Sequence, residues 1–385
     1  MKAGASLDVA VVREAYPILR EMAYFNTGTY GIMAEPVLDR YLESIARFER
    51  RGMAAGGFRE DIERARARIA AAFNASAPEV TLTGNATDGI AFLSAALELS
   101  EGDEVIISDQ EHPAMSFPWQ YTAERRRLCL RRYRVSGDPG ESLASLRGLI
   151  TPATRLVGTS HVTSPYGVRL PVEEICALAH AHGALALVDG AQSLGAMAVD
   201  VQRIGCDFFT GNGHKWLGGP KGTGFLYARR ELIERLHPAH VGAGSLERFA
   251  EDGLVLWADG RRFEYGTRGF AAPAGLNLAL DWLDELGWEA VSGRIEELTT
   301  YLKEQLSELP GVKLVTPLEW DRSAGLVTFQ VPGRDERALQ DQLVGSGLYP
   351  RPLGVGSEKI RVSCALFNDE DEIDRLVACV RAFAA

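Results

Sequence analysis

Lysine is scarce in this chain: Lys2, Lys215, Lys221, Lys303, Lys313 and Lys359 are the six among 385 residues, and arginine supplies the rest of the 41 basic side chains. Positive charge as a whole is in deficit, 41 against 52 acidic residues for a net charge of −11. That balance repels phosphate backbones and anionic lipid headgroups, so neither nucleic acid nor a membrane surface is an expected partner. Five cysteines (Cys129, Cys176, Cys206, Cys364 and Cys379) form an odd set with no C-x-x-C spacing. A disulfide framework and a structural zinc site are not expected, and a reducing cytoplasmic compartment fits. No stretch holds the roughly 18 uninterrupted apolar residues of a membrane span. The segment from Met1 to Met22 is broken by Lys2, Asp8, Arg13 and Glu14 before a secretion signal could form. Repeats, low-complexity tracts and long linkers are also missing.

What remains is ordinary globular material, 46% hydrophobic and 24% charged, long enough for one large core and a smaller one. Short β-rich runs alternate with helical patterns, which predicts a parallel sheet covered by helices. Strands are expected at Glu79–Thr83, Glu104–Ser108, Arg155–His161, Ala184–Asp189, Asp207–Thr210 and Gly222–Ala228. Helices are expected at Asn85–Leu97 and at Val172–His182, the second stopped by Gly183 as a left-handed cap. From Gly287 the pattern becomes α+β: a charged helix over Glu289–Leu309, strands at Val312–Thr316, Gly325–Val331 and Lys359–Ser363, and helices at Asp335–Val344 and Asp369–Phe383. Residues 1–286 therefore read as a large domain and 287–385 as a small one.

In an open parallel sheet, ligands gather at the carboxyl ends of the strands, so polar residues just after apolar runs carry the functional signal. Thr83-Gly84-Asn85-Ala86-Thr87 is one such place: the free amides of a helix N-terminus can receive a phosphate, although a glycine turn capped by Asn85 would read the same. Asp189 ends the apolar run Ala184–Val188 and needs a cationic partner, either a structural arginine or a protonated heterocycle nitrogen. The stretch from Thr210 to Tyr227 places six glycines around Lys215 and Lys221. Most lysines are solvated surface groups. Glycines on both sides allow a bulky planar ligand to approach, and a desolvated amine can form a Schiff base.

A phosphate nest, a strand-end carboxylate and a buried lysine, in that order, describe the protein half of a pyridoxal phosphate site. From about Tyr24 to Phe383 the chain resembles the class V aminotransferases among the fold-type I pyridoxal phosphate enzymes, a group that includes cysteine desulfurases, selenocysteine lyases and isopenicillin N epimerases. The resemblance implies that Lys215 holds the cofactor, that Asp189 meets the pyridine nitrogen, and that Gln192 faces the ring hydroxyl. It implies that His112 stacks on the ring, that Asn85, Ala86 and Thr87 form the phosphate nest with help from His214, and that Ser164 and Asn212 lie against the cofactor. Thr267 resembles the residue that a second subunit contributes to the phosphate, which implies a homodimer. The N-terminal arm, residues 1–30, would pack on the small domain or on that partner. Arg361 matches the arginine that grips the substrate carboxylate, with Arg268 and Tyr30 nearby, and Phe117, Tyr166 and Arg351 are further expected pocket residues. Lys221 is assigned to the turn or the surface.

Desulfurases of this group carry a cysteine shortly before that arginine, whereas Leu348–Lys359 contains none. Cys364 fits a small buried hydrophobe better. His161-Val-Thr-Ser-Pro165 and Asn212-Gly-His-Lys-Trp-Leu217 resemble the epimerase branch. The resemblance thus implies an enzyme that removes the α-proton of an L-amino acid and then expels a β-substituent or reprotonates the carbon. A desulfurase-like enzyme, a true aminotransferase and a non-catalytic scaffold remain as alternatives.

Overall fold

A computed structural model describes residues 7–251, 253–354 and 357–385. The first residues of the N-terminal arm, with Lys2, and Val355 and Gly356 in the loop before Arg361 lie outside the described residues. After a two-residue strand in the arm, β1 (Ala23–Tyr24), seven strands form the main sheet. They are β2 (Val80–Thr83), β3 (Glu104–Ser108), β4 (Cys129–Tyr133), β5 (Thr154–Ser160), β6 (Leu185–Asp189), β7 (Phe208–Asn212) and β8 (Gly224–Ala228), in the spatial order β2-β8-β7-β6-β5-β3-β4. β8 alone runs against the other six. The carboxyl ends of those six therefore share one edge, and that edge decides where chemistry can sit.

The helices of this part are α1 (Val9–Glu14), α2 (Glu35–Arg51), α3 (Phe58–Ala72), α4 (Ala86–Ala96), α5 (Pro113–Arg126), α6 (Pro139–Arg147), α7 (Val172–Ala181), α8 (Val201–Ile204), α9 (Arg230–Ile233) and α10 (Ala271–Leu286). They cover both sheet faces, and the period of two along each strand explains how. Ile106, Val157, Val188 and Phe209 point into one core, shared with Ile69 of α3, Ile175 of α7 and Leu280 of α10. Their neighbours Val105, Ile107, Leu156, Leu187 and Phe208 point into the other, shared with Ile90 of α4 and Trp119 of α5. Strands buried on both faces read as continuous apolar runs, which is why they are visible in the sequence. α7 ends at Ala181, and Gly183 takes the left-handed conformation at φ +75°.

Beyond the main sheet, β9 (Leu246–Ala250) and β10 (Gly253–Leu256) form an antiparallel hairpin. The last part of the chain builds α11 (Trp288–Ser307), β11 (Lys313–Leu314), β12 (Leu326–Gln330), α12 (Glu336–Gly345), β13 (Leu348–Tyr349), β14 (Arg351–Pro352), β15 (Lys359–Ser363) and α13 (Glu370–Ala384). Four of these strands make an antiparallel sheet ordered β11-β12-β15-β14, and β13 pairs in parallel with β1 of the arm. Gly287, at φ +86°, separates α10 from α11. The cores divide further along: Val291 and Ile295 of α11 belong to the large core, while Leu298, Leu302 and Leu306 belong to the smaller one. Cys364 is completely buried in that smaller core. Among the described residues no helix is long and apolar enough to cross a membrane.

The elements missing from the sequence reading have physical causes. β4 is an edge strand of sequence Cys-Leu-Arg-Arg-Tyr with no apolar run, and α5 carries Pro118 in its interior. At the functional edge, packing is tight. A Cβ added to Gly190 would lie 1.9 Å from Cζ of Phe209. Gly190→Ala is therefore expected to lower stability by about 1–3 kcal/mol through overpacking, measured by urea unfolding; an unchanged midpoint would show that the Phe209 ring can yield.

Candidate functional site

Five strand ends surround one cavity of about 600 Å³. β2 delivers Asn85, Ala86 and Thr87; β3 delivers His112; β5 delivers Ser160 and Ser164; β6 delivers Asp189 and Gln192; β7 delivers Asn212, His214 and Lys215, and all of these line it. The arm segment Gly28-Thr29-Tyr30 and Arg351 of β14 form the rest of the rim. These contributors are far apart in sequence and meet because the strands are parallel.

Lys215 follows β7 through Gly213, and no hydrogen bond engages its Nζ among the described residues. Burial lowers its pKa to about 8, against an opposing pull from Asp189 and with further lowering by Arg361 and Arg351. Asp189 is 5% exposed. Its Oδ1 accepts the Ala191 N–H at 2.9 Å, and burial raises its pKa while that hydrogen bond and Lys215 lower it. The two side chains share the cavity without forming an ion pair. An amine with no partner opposite a desolvated carboxylate leaves room for a ring that would satisfy both, so these residues fit pyridoxal phosphate.

At the β2 end, Asn85 caps α4 by accepting the Asp88 N–H at 2.9 Å, and Asn212 Oδ1 accepts the Ala86 N–H at 2.9 Å. The partly positive helix N-terminus thus faces the cavity and suits an anion. His214 shares the wall, its Nδ1 lying 3.1 Å from the Thr223 carbonyl, with its pKa lowered chiefly by burial. If Nδ1–H donates to that carbonyl, Nε2 can donate to a phosphate only as imidazolium, a state that the dianion itself favours. His112 caps α5, with Nδ1 accepting the Ala114 N–H at 3.1 Å. Burial, then Lys215, Arg351 and Arg361, lower its pKa to about 4, so the ring is neutral at physiological pH.

Gln192 does more than face a ligand. Its Nε2 donates to Gly28 O at 2.8 Å and its Oε1 accepts the Trp216 indole N–H at 3.0 Å, which ties the arm to the lysine turn. Gly31 N–H donates to His214 O at 2.9 Å, and a Cβ there would meet Lys215 O at 2.0 Å, so only glycine fits this close approach. Arg361 is 1% exposed on β15. Nη1 donates to the Ser164 carbonyl at 2.8 Å and hydroxyl at 3.1 Å, and Nη2 donates to Thr29 Oγ1 at 2.9 Å. Its Nε is buried without a partner among the described residues, and Arg361 stands behind the cavity wall, holding the lining residues Ser164 and Thr29 rather than lining the cavity itself. Arg351, opposite Arg361 in the β14–β15 pair, reaches the same Thr29 hydroxyl at 3.1 Å.

Some expected residues lie elsewhere. Arg268 donates to the carbonyls of Leu82 and Phe263, and with Thr267 it lines a separate cavity of about 590 Å³, so within one chain neither reaches the site. Phe117 is on the exposed face of α5, and Tyr166 is outside the cavity wall. Lys221, assigned to the turn or surface, lines the cavity and donates to Gly31 O at 2.6 Å. Thr29 and Glu111 were missed: a threonine in an arm has no sequence signal, and Glu111 is hidden behind the more conspicuous His112.

The profile of the family described as Aminotransferase class-V matches residues 34–376. The chain is 32% identical to a cysteine desulfurase of Serratia proteamaculans over 97% of both chains. It is 34% identical to isopenicillin N epimerase of Streptomyces clavuligerus over 79% of both chains. Among solved structures it is similar to the C-DES mutant with glycine covalently linked to its pyridoxal phosphate, with a TM-score of 0.89 and 31% identity over 96% of this chain and 98% of that one.

The neutral state of His112 can be checked directly. In the cofactor-free protein its imidazole is expected to titrate near pH 4 in NMR spectra and to show no transition above about pH 5.5. A midpoint above about 6 would mean that burial and the neighbouring cations do not govern it.

Proposed function

We propose, for a chain that belongs to the class-V aminotransferase family, that it removes the α-proton of an L-amino acid and then expels a β-substituent, as a carbon–sulfur lyase does. Isopenicillin N epimerase, among its relatives, favours return of the proton to the opposite face as the second reading. The protein is a pyridoxal phosphate enzyme. When bound, the cofactor supplies an electron sink for the pair released as a bond to the α-carbon breaks.

The observation that carries the proposal is the state of Lys215: an amine with a pKa lowered to about 8, facing the same cavity as Asp189. Such an amine would hold the cofactor and, when free, would serve as a base near neutrality for the α-proton. With pyridoxal phosphate bound, Asp189 would face the ring nitrogen and favour its protonated form, the neutral imidazole of His112 would lie against the ring, and the α4 N-terminus with His214 would hold the phosphate. Arg361 would orient the substrate through its carboxylate and so select which bond at the α-carbon breaks. Arg351 adds a second guanidinium at the rim, suited to a substrate whose leaving portion is itself anionic. The absence of a cysteine between Leu348 and Lys359 supports elimination over thiol-mediated sulfur transfer.

A homodimer belongs to the same proposal. Phe249 and Leu254 on the β9–β10 hairpin are 79% and 58% exposed, next to the cavity that holds Thr267 and Arg268. A second copy over this face would bury the hairpin and could bring Thr267 to the partner's phosphate site. Free cysteines, with no disulfide among the described residues, support a cytoplasmic setting.

Incubation with L-cystine and cysteine thioethers is expected to release pyruvate and ammonia. Loss of optical activity without new products would instead establish the epimerase, and conversion of the cofactor to its amine form would establish a transaminase. Lys215→Ala should abolish the visible absorption of the purified protein. Arg361→Ala should lower kcat/KM by about 10²- to 10³-fold, equivalent to about 3–4 kcal/mol for a buried charge contact. Unchanged kcat/KM in that variant would remove Arg361 from substrate binding.

A further inference from the structure

One carboxyl at the functional edge has no role in the mechanism above. Glu111, two residues beyond Asp109 in the loop after β3, turns its side chain back across the strand ends. Oε1 accepts Ser108 Oγ–H at 2.5 Å and Ser160 N–H at 2.8 Å, and Oε2 accepts Ser160 Oγ–H at 2.6 Å. Ser108 is the last residue of β3 and Ser160 the last of β5. In the register of the sheet, Ser160 stands opposite Asp189, and the next amide, His161 N–H, donates to Asp189 O at 2.8 Å. One side chain thus spans two strand ends, reaches the neighbourhood of a third, and anchors the residue that precedes His112.

We infer that Glu111 is a positioning residue: accepting from Ser108 and Ser160 at once, it ties the end of β3 to that of β5 and fixes the loop presenting His112 beside Asp189. Two buried carboxyls at one sheet edge resist ionising together, so the ionisation of Glu111 is coupled to that of Asp189. The other titratable groups around Glu111 are Asp109 on its own loop, Tyr133 at the end of β4, whose hydroxyl is 2.7 Å from Thr159 Oγ1, and His112 beside it. Among the described residues no cation forms an ion pair with Glu111. Burial raises its pKa to about 7, partly offset by the two serines, with Asp189 raising it further.

The inference rests on Lys215 and Asp189 being the partners of pyridoxal phosphate, and the test separates the two. Wild type, Glu111→Gln and Glu111→Ala are loaded with pyridoxal phosphate, and cofactor affinity and the visible band are followed from about pH 6 to 9. The glutamine can keep all three contacts, its carbonyl accepting from Ser108 Oγ and Ser160 N and its amide donating to Ser160 Oγ. Its cofactor affinity is expected within about threefold of wild type, whereas Glu111→Ala loses about tenfold or more. The pH dependence of the band should lose in Glu111→Gln one ionisation that wild type shows.

The cofactor-free proteins supply an independent readout. A carboxyl with a folded pKa above its unfolded value costs stability as pH rises from the unfolded pKa through the folded one. The melting temperature of Glu111→Gln relative to wild type should therefore climb between about pH 4.5 and 7 and level off above that. Superimposable band-versus-pH curves for wild type and Glu111→Gln, or equal cofactor affinity in all three proteins, would overturn the inference. A wild type that takes up no pyridoxal phosphate would instead remove the reading beneath it.

Discussion

Desolvation of a single amine organises this molecule. Nζ of Lys215 sits where five strand ends, an arm and a second sheet close around it, so water cannot hold its proton and its pKa falls to about 8. The same enclosure acts in the opposite sense on acids, raising Asp189 and Glu111, and pulls His112 down to about 4. One physical cause therefore sets the protonation of amine, acid and imidazole together. None of these values would survive if the rim opened.

The rim is held by hydrogen bonds between parts of the chain that are far apart. Gln192 of the main sheet grips Gly28 of the arm, Gly31 accepts no side chain because it abuts the Lys215 carbonyl, and Ser363 N–H of the small sheet donates to Phe25 O at 2.8 Å. The arm is consequently the seam between the sheet carrying Lys215 and the sheet carrying Arg361. Both arginines of the small sheet meet at Thr29, so the spacing between amine and guanidinium depends on where the arm lies.

Much of the main sheet was legible because its strands are buried on both faces. The expected strand at Glu104–Ser108 matches residue for residue, and those ending at Thr83 and Asp189 stop where they were placed. The later helices expected at Asp335–Val344 and Asp369–Phe383 form within one residue of those bounds, with Asp335 accepting the Arg337 N–H and Asp369 the Glu372 N–H at their starts. β4 and α5 were not legible, one being an arginine-bearing edge and the other interrupted by a proline. The hairpin β9–β10 has two exposed faces, and such strands carry no period of burial to detect.

Residue order alone decided which side chains follow strand ends, and hence that Asn85, His112, Asp189, Asn212 and Lys215 fall at the same edge once the strands lie parallel. Glycines in fixed positions and the paucity of lysine singled out Lys215 before any coordinates. Tertiary structure decided what no local pattern encodes: that Lys221 enters the cavity, that Arg268 is spent on backbone carbonyls, that Glu111 reaches Ser160, and that Arg351 and Arg361 share Thr29. The reason is that strand identity follows from period and burial over a few residues, whereas a side chain's partner depends on which distant segments the folded backbone brings within hydrogen-bond reach.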